Sequence, residues 1–182
     1  MELKFKKGTL KQAEPKDADT LAKWWADGKV MEHAGFPNGI QTDMNKLKDR
    51  LKKQGLKDIL WLIIDEDHQS IGEMHHEVKA NTAVIGIKIC EISAQGKGLG
   101  PVALKRLIVF LFETMPIGKI WLDTMIENTR AQKVYKKLYF EQTKINKDIW
   151  QDQLGNMRTA VEFELHKNTY KKHTAFFKES VN

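Results

Sequence analysis

The sequence predicts a mixed α+β domain, with a mostly antiparallel central sheet flanked by helices. Three observations carry this. Apolar residues alternate with a period of two in several short runs, they recur at helical spacing in four other segments, and a glycine-rich segment joins a run of one kind to a run of the other.

At 182 residues the chain has the length of one domain, read here as residues 1–168, with a basic C-terminal tail over 169–182 that is helical or disordered. The 41% apolar and 30% charged residues are ordinary for a globular protein, and no apolar run reaches the length of a membrane span. Lysines interrupt the first apolar stretch, so it does not resemble a secretory signal, and a cytoplasmic protein with no membrane partner is expected. Cys90 stands alone, which excludes an internal disulfide and a cysteine-based zinc site, and a buried, inert thiol is expected. The net charge of +6 comes from basic residues spread along the chain among 24 acidic ones. That pattern describes a solvated basic surface rather than a nucleic-acid interface, and it also suits a polyanionic cofactor.

The elements follow in order. A first strand is expected within residues 3–13. Pro15 then opens a helix in which Ala18, Leu21 and Trp25 share a face, ending near Gly28. An irregular loop spans residues 33–39. Thr42 is the expected cap of a second helix, with Met44, Leu47 and Leu51 on its apolar face and Gly55 at its end. Residues 59–64 and 70–78 form a hairpin around an acidic turn. Residues 83–91 are a third strand of this region, with Ile85, Ile87 and Ile89 on one face and Gly86, Lys88 and Cys90 on the other.

That strand runs into Gln95-Gly96-Lys97-Gly98-Leu99-Gly100, and a helix follows with Leu104, Leu107, Ile108 and Leu111 inward and Lys105 and Arg106 outward. Residues 120–125 are a strand. Ala131, Val134, Tyr135 and Leu138 mark the next helix, for which Asn128 competes as cap with a Thr129/Gln132 capping box. Residues 140–145 and 158–165 close the sheet.

The glycine segment has the properties of a phosphate cradle. Glycines let the backbone approach an anion without Cβ clashes, consecutive amides can converge on it, and the following helix adds its positive end. An ordinary glycine-rich turn would share the composition. A Walker loop is excluded because Lys97 is followed by Gly98 rather than Ser or Thr. Gly98, Gly100 and Ala103 also satisfy a dinucleotide fingerprint, with Asp123 at the expected distance, so an NAD(P)-binding oxidoreductase is a rival reading. The preceding antiparallel hairpin argues against it, because that fingerprint needs repeated parallel strand-helix-strand units.

Two motifs in order sharpen the reading. Residues 95–100 match [Q/R]-x-x-G-x-[G/A], and Asn128, Ala131, Tyr135, Lys137 and Phe140 match N-x-x-A-x-x-x-Y-x-K-x-G-F. In both, the chain resembles the GNAT superfamily of N-acetyltransferases, most closely over residues 83–140. Tyr139 departs from the pattern, which has glycine there, and Pro101 removes one amide just after the loop.

The resemblance implies a GNAT-like sheet that splays where acetyl-CoA enters, with the coenzyme A pyrophosphate on the loop. The implied reaction is direct attack by a primary amine, of a small molecule such as an aminoglycoside or polyamine or of a protein N-terminus, on the acetyl thioester in a ternary complex. The cofactor contacts it implies are Ile92, Gln95, Gly96, Lys97, Gly98, Leu99, Gly100, Asn128, Ala131 and Tyr135. Tyr135 matches the family's general acid, although it also fits the helix's apolar stripe. Glu91, at the strand end, is the candidate base, with a plain solvated carboxylate as the alternative. Trp25, Phe36 and Glu73 fall where the family builds its acceptor wall. A polycationic acceptor would need Glu32, Glu73, Glu77, Glu91 and Asp123 to cluster. No metal is implied, since His75 and His76 are adjacent on a strand and point to opposite faces. A homodimer is a family-level expectation. A non-catalytic module that binds acyl-CoA or nucleic acid is the remaining alternative.

Overall fold

The computed structural model describes residues 1–179 and 181 and gives one eight-stranded sheet. The strands are β1 (Glu2–Phe5), β2 (Gly8–Gln12), β3 (Asp58–Ile64), β4 (Ser70–Lys79), β5 (Thr82–Ile89), β6 (Lys119–Met125), β7 (Glu141–Gln151) and β8 (Met157–His166). Their order across the sheet is β1-β2-β3-β4-β5-β6-β8-β7. Every neighbouring pair is antiparallel except β5 and β6, which run parallel.

The helices are α1 (Ala18–Ala26), α2 (Gly28–Met31), α3 (Met44–Lys52), α4 (Leu99–Thr114), α5 (Thr129–Lys137), α6 (Lys167–Lys172) and α7 (Thr174–Lys178). None of the described helices is long and apolar enough to cross a membrane.

The alternation of the strands sorts the core into two layers. On one face Ile59, Trp61, Met74, Ile85, Ile120, Leu122, Phe163 and Leu165 pack under Leu104, Leu107, Ile108 and Leu111 of α4 and Tyr135 of α5. On the other, Leu60, Leu62 and Cys90 pack under Leu21, Trp24, Leu47 and Leu51 of α1 and α3. This second cover reaches only the β2–β5 side. Beyond it the same face carries Glu73, His75, Lys88, Trp121, Asp123 and Glu162, as the pairings of Leu62 with Glu73, Leu60 with His75, and Asp123 with Glu162 require.

Several local expectations are corrected. The first strand is a hairpin, β1 and β2, turning at Lys6 and Lys7. Asp43, not Thr42, caps α3, accepting from the amides of Asn45 and Lys46, while the Thr42 hydroxyl is buried without a partner. Gly55 lies beyond the end of α3 and pairs with Asp58. The buried stripe of α1 uses Trp24, three residues after Leu21, and leaves Trp25 half-buried at its edge. Lys105 and Arg106 are joints rather than free surface: Lys105 Nζ sits 3.4 Å over the Phe176 ring, and Arg106 Nε donates to the Lys4 carbonyl. Asn128 is the cap of α5, its side chain accepting from the Ala131 amide at 3.1 Å.

The C-terminal segment is folded onto the domain. Tyr170 stacks on Phe112 with ring centroids 4.8 Å apart and donates to Glu113, and Phe177 is fully buried.

Candidate active site

The parallel pair is short. β5 and β6 are in register only from Thr82↔Lys119 to Val84↔Trp121, after which β5 continues to Ile89 and β6 to Met125 unpaired with each other. A gap therefore opens toward the carboxyl ends of the two strands, at the one place where the strand connection crosses over through α4. Backbone groups of β5 past Val84 lose their ladder partner on that side and are free to bond a ligand entering the gap.

The glycine loop stands at the mouth of this gap. Ile92–Ala94 is a single 3-10 turn, and Gly96 and Gly98 then take φ of +80° and +78°, in the left-handed region that suits glycine. Gly98 is the cap residue of α4 and offers no side chain to it. Among the described residues the amides of Gly96, Lys97, Gly98, Leu99 and Gly100 donate to no protein acceptor. Pro101 has no amide to offer, so the run of free donors ends at Gly100. Five adjacent unpaired amides at the positive end of a sixteen-residue helix form an anion site.

The other loop residues divide by role. Gln95 turns inward, its Nε2 donating to the Ile89 carbonyl at 3.0 Å, and so braces the loop on β5. Leu99 is buried beneath the first turn of α4, and Ile92 is exposed. A residue the sequence did not reveal also lies here: the Arg130 guanidinium, from the first turn of α5, comes within 4.0 Å of where a Cβ on Gly96 would be. Its only sequence signal is a basic residue at the start of a helix, which is common.

Tyr135 reaches the sheet from α5. Its ring lies edge-on to Phe163, with centroids 5.6 Å apart, and beside Phe140. Burial, with Asp123 adding to it, pushes its hydroxyl up to about 12, so it carries its proton at neutral pH. Asn128 and Ala131 hold the start of the same helix.

The two carboxylates named from the sequence are both engaged. Buried Glu73 accepts from Lys88 Nζ at 2.7 Å and from the Trp25 indole at 3.0 Å. Glu91 accepts from the Trp24 indole at 2.7 Å and lines a cleft of about 430 Å³ with Lys23, Asp27, Val30, Ile92 and Ser93. Phe36 is exposed. His75 and His76 do point to opposite faces. His76 is buried against Trp61 and the Leu56 carbonyl, while His75 rests over Gly86 on the second face.

Asp123 and Glu162 face each other across β6 and β8. Burial, and then the neighbouring Glu162, raise the Asp123 carboxyl above its ordinary range. Glu162 also takes bonds from Asn146 and Trp121. The loop after α2 and the β7–β8 turn are tied together over this floor. Gln153 bonds the Gly35 carbonyl, the Asn38 amide and the Gly39 carbonyl, and the Trp150 ring packs directly on Gly35. Buried Asp152 holds that turn, accepting from the amides of Leu154 and Asn156 and from Arg158.

The family described as acetyltransferase (GNAT) domain matches residues 8–141. An uncharacterized N-acetyltransferase, p20 of Bacillus licheniformis, is 25% identical over 169 residues, covering 89% of this chain and 94% of the relative. Among solved structures, the spermidine N-acetyltransferase of Vibrio cholerae in complex with CoA and spermine superposes with a TM-score of 0.79 at 18% identity, over 89% of this chain and 96% of that one. RimL, a ribosomal alpha-N-protein acetyltransferase in complex with coenzyme A, gives 0.79 at 14% identity, over 93% and 99%. A GNAT-family acetyltransferase of Bacillus anthracis gives 0.77 at 17%, over 92% and 99%. These matches, with a single parallel strand pair in the sheet, overturn the dinucleotide-dependent oxidoreductase as a reading of Gly98, Gly100 and Asp123. The chain belongs to the GNAT acetyltransferase family and is an acetyl-CoA-dependent N-acetyltransferase.

Proposed function

We propose that this enzyme acetylates a small cationic amine of the polyamine or aminoglycoside kind. The observation that carries this is an acidic pair on the sheet face beside the splay. There Asp123 and Glu162 stand side by side with Trp121 next to them, and Asp123 has no cationic partner among the described residues. A chain of net charge +6 that places two adjacent carboxylates, neither with a cationic partner among the described residues, on one face offers a cation a local well. The indole of Trp121 adds an aromatic edge of the kind that ammonium groups favour. The likeness to a spermidine acetyltransferase supports the same class.

On this reading the coenzyme A diphosphate lies on the amides of residues 96–100, with Lys97 and Arg130 as flanking cations, and the acyl-bearing arm enters the gap between β5 and β6. Ile92, Asn128 and Ala131 line that path. The bound thioester supplies an activated acetyl group. Tyr135, protonated and held against Phe163, gives its proton to the departing sulfur. Trp25, Phe36 and the tied loop of residues 35–39 wall the acceptor side, with Glu73 fixing Trp25.

A panel of spermidine, spermine, kanamycin and an alanine-initiated peptide, each with acetyl-CoA and a thiol readout, tests the reading. Turnover of at least one of the three small polycations is expected to exceed that of the peptide by tenfold or more in kcat/KM. Preference for the peptide would move the acceptor to a protein N-terminus.

A further inference from the structure

The established reaction needs a proton acceptor, because an amine attacks only through its free lone pair and an alkyl ammonium has a pKa near 10.4. Both carboxylates singled out by the sequence already accept hydrogen bonds from the protein. Glu73 uses both oxygens, on Lys88 and Trp25, and Glu91 uses one, on Trp24.

The apex of the splay points elsewhere. Gly86 is the first residue on the acceptor face of β5 after the last pair with β6, Val84↔Trp121. A Cβ at that position would lie 2.2 Å from His75 Cε1 and 2.8 Å from Nδ1, so the imidazole of the neighbouring strand occupies the space where a Gly86 side chain would project. Among the described residues neither ring nitrogen of His75 has a hydrogen-bond partner, in contrast to His76 next to it, both of whose nitrogens are engaged. His75 packs one side of its ring on β5 and exposes the rest to solvent. A small residue that admits an imidazole, a ring with both nitrogens unspent, and a position at the fork of the sheet form one arrangement.

We propose that His75 is the general base of the acetyl transfer. The inference rests on the acceptor site proposed above. His75 takes a proton from the acceptor ammonium, becoming imidazolium and leaving a neutral amine. The nitrogen lone pair then forms the bond to the acetyl carbon, the carbon–sulfur bond breaks, and its electron pair leaves with sulfur, which takes a proton from Tyr135. The second proton lost by nitrogen returns through solvent to Tyr135, and the imidazolium gives its proton to solvent. The net change is one ammonium and one thioester to one amide, one thiol and one proton.

The surroundings disfavour the protonated ring. Partial desolvation against β5, then Lys88 of β5, lower its proton affinity, with Arg50 of α3 acting the same way, while Glu73 of β4 and Asp58 of β3 partly oppose them, and Glu77 is the next residue of β4 on that face. A group with a lowered pKa is unprotonated throughout the neutral range, so kcat/KM should rise on the acid side along a limb centred below 6.5.

The test compares wild type, His75→Asn and Gly86→Ala with the best acceptor of the amine panel, spermidine first. His75→Asn is expected to lose about 10²–10⁴-fold in kcat and to lose the acid limb, with acetyl-CoA affinity by calorimetry within twofold. Gly86→Ala should reproduce the loss by expelling the ring. Added imidazole should restore part of the rate in His75→Asn. In the free protein, proton NMR should show an imidazole titrating below 6.5 that is missing from His75→Asn, distinct from the signal of buried His76, which is lowered as well and persists in the variant. Retention of the acid limb and of rate within threefold in His75→Asn would overturn the inference while leaving the acetyltransferase reading intact. If wild type turns over no amine of the panel, the acceptor site fails and the inference falls with it.

Discussion

Tyr135, buried under the sheet, and Asp123, exposed beside Glu162, show how surroundings set chemistry residue by residue. The Tyr135 hydroxyl, pushed up to about 12, has no ionisation within the working range, so its role as proton donor predicts a specific loss. Tyr135→Phe should lower kcat about 10²-fold, with no change in the position of the acid limb, and acetyl-CoA affinity should hold. Stopped-flow or steady-state thiol release against pH checks both. Asp123 has the opposite sign from most surface carboxylates. Because its folded pKa is raised, ionisation costs stability above that pKa, and the cost is absent below the ordinary carboxylate range. Asp123→Asn is therefore expected to raise Tm at pH 7, to leave it unchanged near pH 3, and to raise the acceptor KM. Calorimetric melting at the two pH values, with kinetics at pH 7, separates these effects. Cys90 follows the sequence expectation. It is 4% exposed and burial pushes its thiol up to about 12, so maleimide should label it only after unfolding.

At the scale of elements, the tail and the turn before β7 depend on each other. Tyr139 stands where the family pattern has glycine, and it adopts φ of +62°, a conformation that costs a non-glycine residue of order 1–2 kcal/mol. His173 stacks on its ring at 3.8 Å, Phe176 meets it edge-on, and Lys178 reaches back to Glu113 of α4. The strained turn is thus covered by α6 and α7. Phe177→Ala should cost about 3–5 kcal/mol in denaturant unfolding, and His173→Ala about 1 kcal/mol. A tail that served only as a solvated extension would give neither.

The strands and helices with strong periodicity were legible in the sequence: the β3–β4 hairpin, the α4 stripe and the α5 stripe all follow it. The misses have physical causes. Trp24 and Trp25 are adjacent, so spacing could not say which would pack with Leu21 and which would edge the stripe. The two short helices of the tail have no apolar period long enough to read, although Tyr170 and Phe177 are core residues. In the site, the loop is contiguous and so visible, whereas Arg130 nears it only through helix placement, and His75 and Glu162 reach the splay only through strand pairing.

For the whole molecule, function follows from one interruption in an otherwise continuous sheet. Seven strand pairings hold it together, and the single parallel one stops after three residues. On one side of that opening, α4 presents five unpaired amides, and on the other the β7–β8 turn and the α2 loop enclose an acidic floor. In the proposed reaction, donor and acceptor would approach from opposite faces, which a direct transfer requires. Gln153→Ala, which unties the two walls, should raise the acceptor KM severalfold and leave acetyl-CoA affinity unchanged.

The central claim is that the amides of residues 96–100 hold the donor's diphosphate. Titration of isotope-labelled protein with acetyl-CoA, followed by amide NMR, tests it most directly. Saturable one-to-one binding is expected, with the largest shifts at Gly96, Lys97, Gly98, Leu99 and Gly100, and no comparable response to NAD. Unmoved resonances at these five amides under saturating acetyl-CoA, or an equal response to NAD, would contradict it.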